Sequence, residues 1–84
     1  MFSHAHIWAA IDELARQNDL SPSGLAIKAN LDRTAFNKSK RKGRNGIPSW
    51  PSTETIAKIL FATDTELRDF CYLLEKEQTK LKKN

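Results

Sequence analysis

What this chain lacks narrows it first. Its 84 residues include one cysteine, Cys71, so it can build neither an internal disulfide framework nor a cysteine-based zinc site. A reduced, cytoplasmic setting is expected. No run approaches the roughly 18 apolar residues that a membrane span needs, and no signal peptide is apparent, so a soluble protein is expected. Catalytic signals are missing as well. There is no glycine-rich phosphate loop and no pair of carboxylates flanking a plausible cleft. His4 and His6 stand two apart, point to different sides of a helix and cannot chelate one metal. These absences predict no enzyme, no cofactor and no metal site.

What is present centres on Leu20–Lys42, LSPSGLAIKANLDRTAFNKSKRK. Ser21 is an N-cap and Pro22 takes the first helical position, where its missing N–H costs nothing. Leu20 and Leu25 are placed to close as a hydrophobic staple. The grammar repeats eleven residues later, with Leu31 before a capping Asp32 and Phe36 at the fourth helical position. Between the two starts lies Asn30, a residue that tolerates positive φ cheaply. The pattern predicts one helix over about Ser21–Ala29, a turn through Asn30-Leu31, and a second helix over about Asp32–Lys40: a helix-turn-helix. Charge gathers on the same segment. From Lys28 to Arg44 seven basic residues face one acid, so that segment carries +6 and the other 67 residues sum to −2. A basic stripe starting on a reading helix is the electrostatic footprint of a DNA binder.

LSPSGLAIKANLDRTAFNKSKR resembles the DNA-reading unit of the lambda-repressor-like (Cro/CI-type) helix-turn-helix family. The likeness is greatest to phage and prophage repressors that carry a LexA-like self-cleaving peptidase domain behind it. Ala26 stands where that pattern has a small residue at the helix crossing, Asn30 at the turn and Phe36 at the apolar anchor. Ser39 departs from it, since the family has a further apolar residue there; Trp50 is expected to supplement that thin inner face. Ser39-Lys40 are adjacent and diverge on a helix, so they are not the self-cleaving dyad. The resemblance spans about Ser3–Phe70 and implies an all-α, five-helix domain, a bacterial cytoplasmic setting, and binding as a homodimer to an inverted-repeat operator in double-stranded DNA.

The remaining elements read in order. Ser3 caps a first helix to about Asn18, with Phe2 stapled onto Ile7 and an apolar face of Ile7, Trp8, Ile11, Leu14 and Ala15. Gly24 inside the second helix costs about 1 kcal/mol against Ala; a close approach to a DNA phosphate or packing against the first helix would each justify it. Arg41–Trp50 reads as a basic loop tied back by Ile47 and Trp50. Ser52 caps a fourth helix bearing Ile56, Ile59 and Leu60, which ends near Asp64, a residue suited to the left-handed conformation. A fifth helix from Thr65 or Glu66 carries Leu67, Phe70, Cys71 and Leu74 on one side. Tyr72 and Leu73 lie off that stripe, as plain surface or as a dimer contact on helix 65–80, the reading taken here. Residues 1–74 form the DNA-binding domain, and the charged 75–84 segment is a fraying helix end or the start of a linker.

Site residues follow from place in the motif. Arg33, Thr34, Asn37 and Lys38 face outward as candidate base readers: Arg33 toward guanine, Asn37 toward adenine, Thr34 toward a thymine methyl or a phosphate. Lys40, Arg41, Lys42, Arg44 and Asn45, together with Ser21 and Ser23 at the start of the second helix, are candidate phosphate contacts. The alternatives are an antitoxin-like regulator and a helical protein-interaction module, each with another protein as its main partner.

Overall fold

The computed structural model describes residues 1–82, apart from the side chains of Arg44, Leu81 and Lys82. Four α-helices follow in order: α1 (His4–Gln17), α2 (Pro22–Lys28), α3 (Thr53–Ala62) and α4 (Leu67–Lys82). Two 3-10 turns, Lys38–Arg41 and Arg44–Gly46, separate α2 from α3. No strand forms among the described residues; a single antiparallel bridge joins Lys42 to Pro48. The chain is all-helical, with four α-helices among the described residues in place of the expected five.

Each helix starts and stops for a local reason. Ser3, Ser21 and Ser52 are the N-caps of α1, α2 and α3. The Ser21 and Ser52 hydroxyls accept the N–H groups of Gly24 and Thr55 at 3.0 and 3.1 Å. At α1 the reciprocal half of the capping box is supplied by histidine: the Ser3 N–H donates to His6 Nδ1 at 2.8 Å. Three helices end alike, on a non-glycine residue at positive φ: Asp19 (58°), Asn30 (60°) and Asp64 (53°). In each case the next N–H reaches back to close the turn, Leu20 to the Ala15 carbonyl, Leu31 to Ala26 and Thr65 to Leu60, at 2.8–2.9 Å. These are Schellman closures built on Asp and Asn, the residues after glycine that best tolerate that conformation.

α1 lies along α4, and α2 bridges from α1 to α3. The core is Trp8, Ile11, Leu14 and Ala15 from α1, Leu25 and Ala26 from α2, Ile59 and Leu60 from α3, and Phe36 from the connecting segment. α4 contributes Phe70, Leu73 and Leu74. Its inward stripe is therefore rotated from the expected one: Leu73 is core, whereas Leu67 and Cys71 are exposed. The adjacent leucines Leu73 and Leu74 both go inward with Phe70, and Glu77 is carried onto the same buried face one turn on, its carboxylate accepting from Lys80 at 3.2 Å. α4 also runs unbroken across Leu74-Glu75, so the charged segment continues a helix to Lys82; Lys83 and Asn84 lie outside the described residues.

The expected helix over Asp32–Lys40 does not form as an α-helix. Residues 33–36 are a turn, Asn37 is extended (φ −62°, ψ 148°), and a 3-10 turn follows. Asp32 does act as a start signal, its Oδ1 accepting the Thr34 N–H at 2.8 Å and the Thr34 hydroxyl at 2.6 Å. The backbone then bonds only three residues back, Ala35 to Asp32 and Asn37 to Thr34. Short polar side chains such as Thr34, Asn37 and Ser39 offer the backbone local alternatives to a helical ladder. With Phe36 the segment's one fully buried side chain, packing does not override them.

Candidate nucleic-acid interface

The segment after α2 is pinned at two points. Phe36 is 2% exposed and meets the Trp8 ring edge-on at 6.3 Å between centroids. Arg41 turns inward: its guanidinium grips Asp12 of α1 with a two-pronged fork (2.6 and 2.9 Å), donates to the Phe36 carbonyl (3.1 Å) and lies 5.1 Å from the centre of the Trp8 ring. Expected among the phosphate contacts, Arg41 has these donors engaged within the protein and a side chain only 14% exposed.

Between and beyond the pins the side chains face solvent. Arg33, Asn37, Lys38, Lys40 and Lys42 are exposed, as is Lys28 at the end of α2. Among the described residues none of these cations is ion-paired. Thr34 is half-buried with its hydroxyl donated to Asp32, so it has less to offer a base than its position suggests. That hydroxyl and the Thr34 N–H hold the Asp32 carboxyl below the usual carboxylate range, with Lys40 and Arg33 adding to the effect. The one acid of the basic stretch thus stays ionised and locally engaged. Because the chain breaks at Asn37, Arg33 and Lys38 do not share one straight helical face.

The loop beyond is a small closed arm. Ser49 N–H donates to the Arg41 carbonyl at 3.0 Å, the Ser49 hydroxyl to Lys40, and the Trp8 indole N–H to the Ser49 carbonyl at 3.0 Å. Asn45 and Gly46 turn the tip, both at positive φ (62° and 73°). Lys42 and Asn45 are exposed on this arm, and the Arg44 side chain lies outside the described residues. Ile47 does not tie the arm to the core; it is 63% exposed. Trp50 docks instead on Phe2 and His4 at the start of α1, with ring centroids 6.0 and 5.8 Å apart. It therefore neither supplements the inner face beside Ser39 nor leaves Phe2 to staple on Ile7 alone.

Ser21 is exposed and its oxygen caps α2, while Ser23 is half-buried. The residues that sequence reasoning passed over are on α1: Asp12, which holds Arg41, and Ala5 and Ala9, which face the arm across a cleft. Their i, i+4, i+7 spacing was a second stripe beside the apolar one. Family models, curated proteins and solved structures offer no match to this chain. Among the described residues no helix is long and apolar enough to cross a membrane.

Proposed function

We propose that this chain is a sequence-specific double-stranded DNA-binding domain of a transcriptional regulator, of the phage-repressor type that Leu20–Lys42 resembles. The observation that carries the reading is the row of solvent-facing cations Lys28 at the end of α2 and Arg33, Lys38, Lys40 and Lys42 on the connecting segment and its arm, none ion-paired among the described residues. An uncompensated positive row of this kind suits a phosphate backbone, and a protein-only interface has no need of it. Arg33 and Asn37 read bases; Lys40 and Lys42 hold phosphates. In this reading residues 21–40 act as the helix-turn-helix unit, the second half engaging the groove from a turn and a 3-10 segment. The protein binds as a homodimer on an inverted repeat.

Selection from a random duplex library at moderate salt tests this directly. Enrichment of an inverted repeat is expected; recovery of nothing, with binding lost at moderate salt, would remove sequence-specific recognition. On the selected site, Arg33→Ala and Asn37→Ala should lower affinity far more than on random DNA, whereas Lys42→Ala should weaken both alike. Equal losses on both DNAs would take Arg33 and Asn37 out of the base-reading set.

One observation favours a protein partner as the second reading. Phe61 is 91% exposed and Ile27 62%, and Phe61 lines an apolar groove of about 420 Å³ between α2 and α3. Such exposure marks interaction surfaces. This face, rather than Tyr72 with the buried Leu73, is where that reading or a dimer contact would be tested, by Phe61→Ser and measurement of mass in solution.

A further inference from the structure

The first half of α1 and the arm enclose a cleft of about 350 Å³. Its floor is Trp8 and the Arg41–Asp12 fork. The charges of the floor are matched to each other, because the indole N–H is donated to Ser49 and the Arg41 guanidinium is paired with the partly exposed Asp12 carboxylate. The walls are mostly small and apolar: Ala5 and Ala9, one turn apart on α1, face Pro48 on the arm, with His4 at the start of the helix. The rim carries Lys38 and Lys42, both exposed and, among the described residues, both without an ion-pair partner. The uncancelled charge of the cleft therefore stands at its edge, over a floor of one indole and one compensated ion pair.

That order of groups matches a chain of alternating phosphates and sugars. A free phosphate would use the lysines and leave the apolar walls without a partner. An apolar peptide would use the walls and leave two lysines facing a neutral ligand. Lys38 also belongs to the exposed row that begins at Arg33, so the cleft continues the surface assigned above to DNA. We propose that this cleft seats a phosphodiester strand of the bound duplex, with Lys38 and Lys42 on the phosphates and Ala5, Ala9 and Pro48 against the sugars. Lys38 is then a backbone contact, not a base reader, and α1 is part of the DNA interface. The inference rests on the DNA-binding reading and adds a place to it.

The test introduces a negative charge on the wall. Ala5→Glu is well suited, since Ala5 is exposed at the second position of α1, where a carboxylate favours the helix. Binding of a labelled duplex is titrated across a salt series for wild type, Ala5→Glu, Lys38→Gln and Lys42→Gln. Cys71→Glu, on the exposed side of α4, controls for the same change in net charge. Ala5→Glu should lose about five- to ten-fold in affinity, the scale of one like charge set near a phosphate at a hydrated surface, and Cys71→Glu less than about two-fold because salt screens remote charge. Each lysine variant should flatten the slope of log K against log salt by about 0.9. Ala9→Lys, of opposite sign, should tighten binding and guards against a folding artefact at the wall. If wild type binds and Ala5→Glu behaves as Cys71→Glu does, the cleft is not part of the interface. If wild type fails to bind duplex even at low salt, the DNA-binding reading itself falls and the cleft proposal falls with it.

Discussion

Arg41→Ala separates a structural cation from a DNA-binding one. The substitution removes two bonds to Asp12, one to the Phe36 carbonyl and the contact with the Trp8 ring. Hydrogen bonds involving a charged group contribute about 1.5–3 kcal/mol when buried, while exposed ion pairs contribute about 0–1 kcal/mol. Asp12 is 43% exposed and regains water once the fork is gone, so its two bonds belong near the lower figure. The bond to the Phe36 carbonyl and the ring contact, about 0.5–1 kcal/mol for the latter, bring the expected loss to about 2–3 kcal/mol. In a domain of this size each kcal/mol moves the melting temperature by about 4–8 °C, so a fall of roughly 10–20 °C is expected. Arg41→Lys keeps the charge but not the planar fork and should recover half of that at most. Paired with Asp12→Asn in a double-mutant cycle, Arg41→Ala should show coupling above about 0.5 kcal/mol. Below its melting point Arg41→Ala should bind DNA with an unchanged salt slope. An unchanged melting temperature together with a slope flatter by about 0.9 would show Arg41 to be a phosphate contact and refute the clamp.

Three further outcomes are expected. Phe36→Ala should destabilise the fold by about 3–5 kcal/mol in urea unfolding, since the ring is core; an unchanged midpoint would overturn the orientation of the whole 32–41 segment. Gly24→Ala should raise the melting temperature by the equivalent of about 0.5–1 kcal/mol, because a Cβ there gains helix propensity and comes no nearer than 3.4 Å to its neighbours, the side chains of Leu20 and Ser21; a fall would reveal a packing constraint on that glycine. The Glu13 carboxyl is pulled down to about 2, chiefly by its hydrogen bond from Arg16; burial opposes this as the next-largest effect, and the Gln17 hydrogen bond and the Arg16 and Lys80 charges add to the lowering. A depressed carboxylate stabilises the fold above its ordinary range and stops doing so as pH falls toward 2. Acid melting curves of Glu13→Gln should therefore converge with wild type at the acid end and diverge above about pH 4.5.

Much of the helical framework was legible because it is local. The serine caps, the alternation of α1, the turn at Asn30 and the left-handed stop at Asp64 each depend on a few neighbouring residues, and each is found where the pattern puts it. The failures lie where distant partners decide. Asp32–Lys40 has a start signal and an anchor, yet a helix there needs a second buried side chain, and Ser39 is exposed in that place. The α4 stripe was misjudged by about one position because Leu73 goes inward beside Leu74, and Glu77, a charged residue, follows onto a face that hydrophobic spacing assigns to no acid. Within the candidate site, a row of basic residues reads alike in one dimension. Only the position of Asp12, 29 residues earlier in the chain, distinguishes Arg41 from its neighbours.

The two indoles turn the arm into a paired optical reporter. Trp8, 8% exposed, donates its N–H to Ser49, and Trp50, the next residue along the chain, stands 53% in solvent against Phe2 and His4. One chromophore therefore lies in the core with its N–H on the arm, and the other reports how the arm lies across the start of α1. A soluble quencher reaches the outer ring while the inner one is shielded, so release of Trp50 from Phe2 and His4 registers in the quenchable emission, and release of Ser49 also shifts Trp8 through its lost hydrogen bond. Collapse of the core moves both together. A single spectrum thus tells local opening from global unfolding with no label attached.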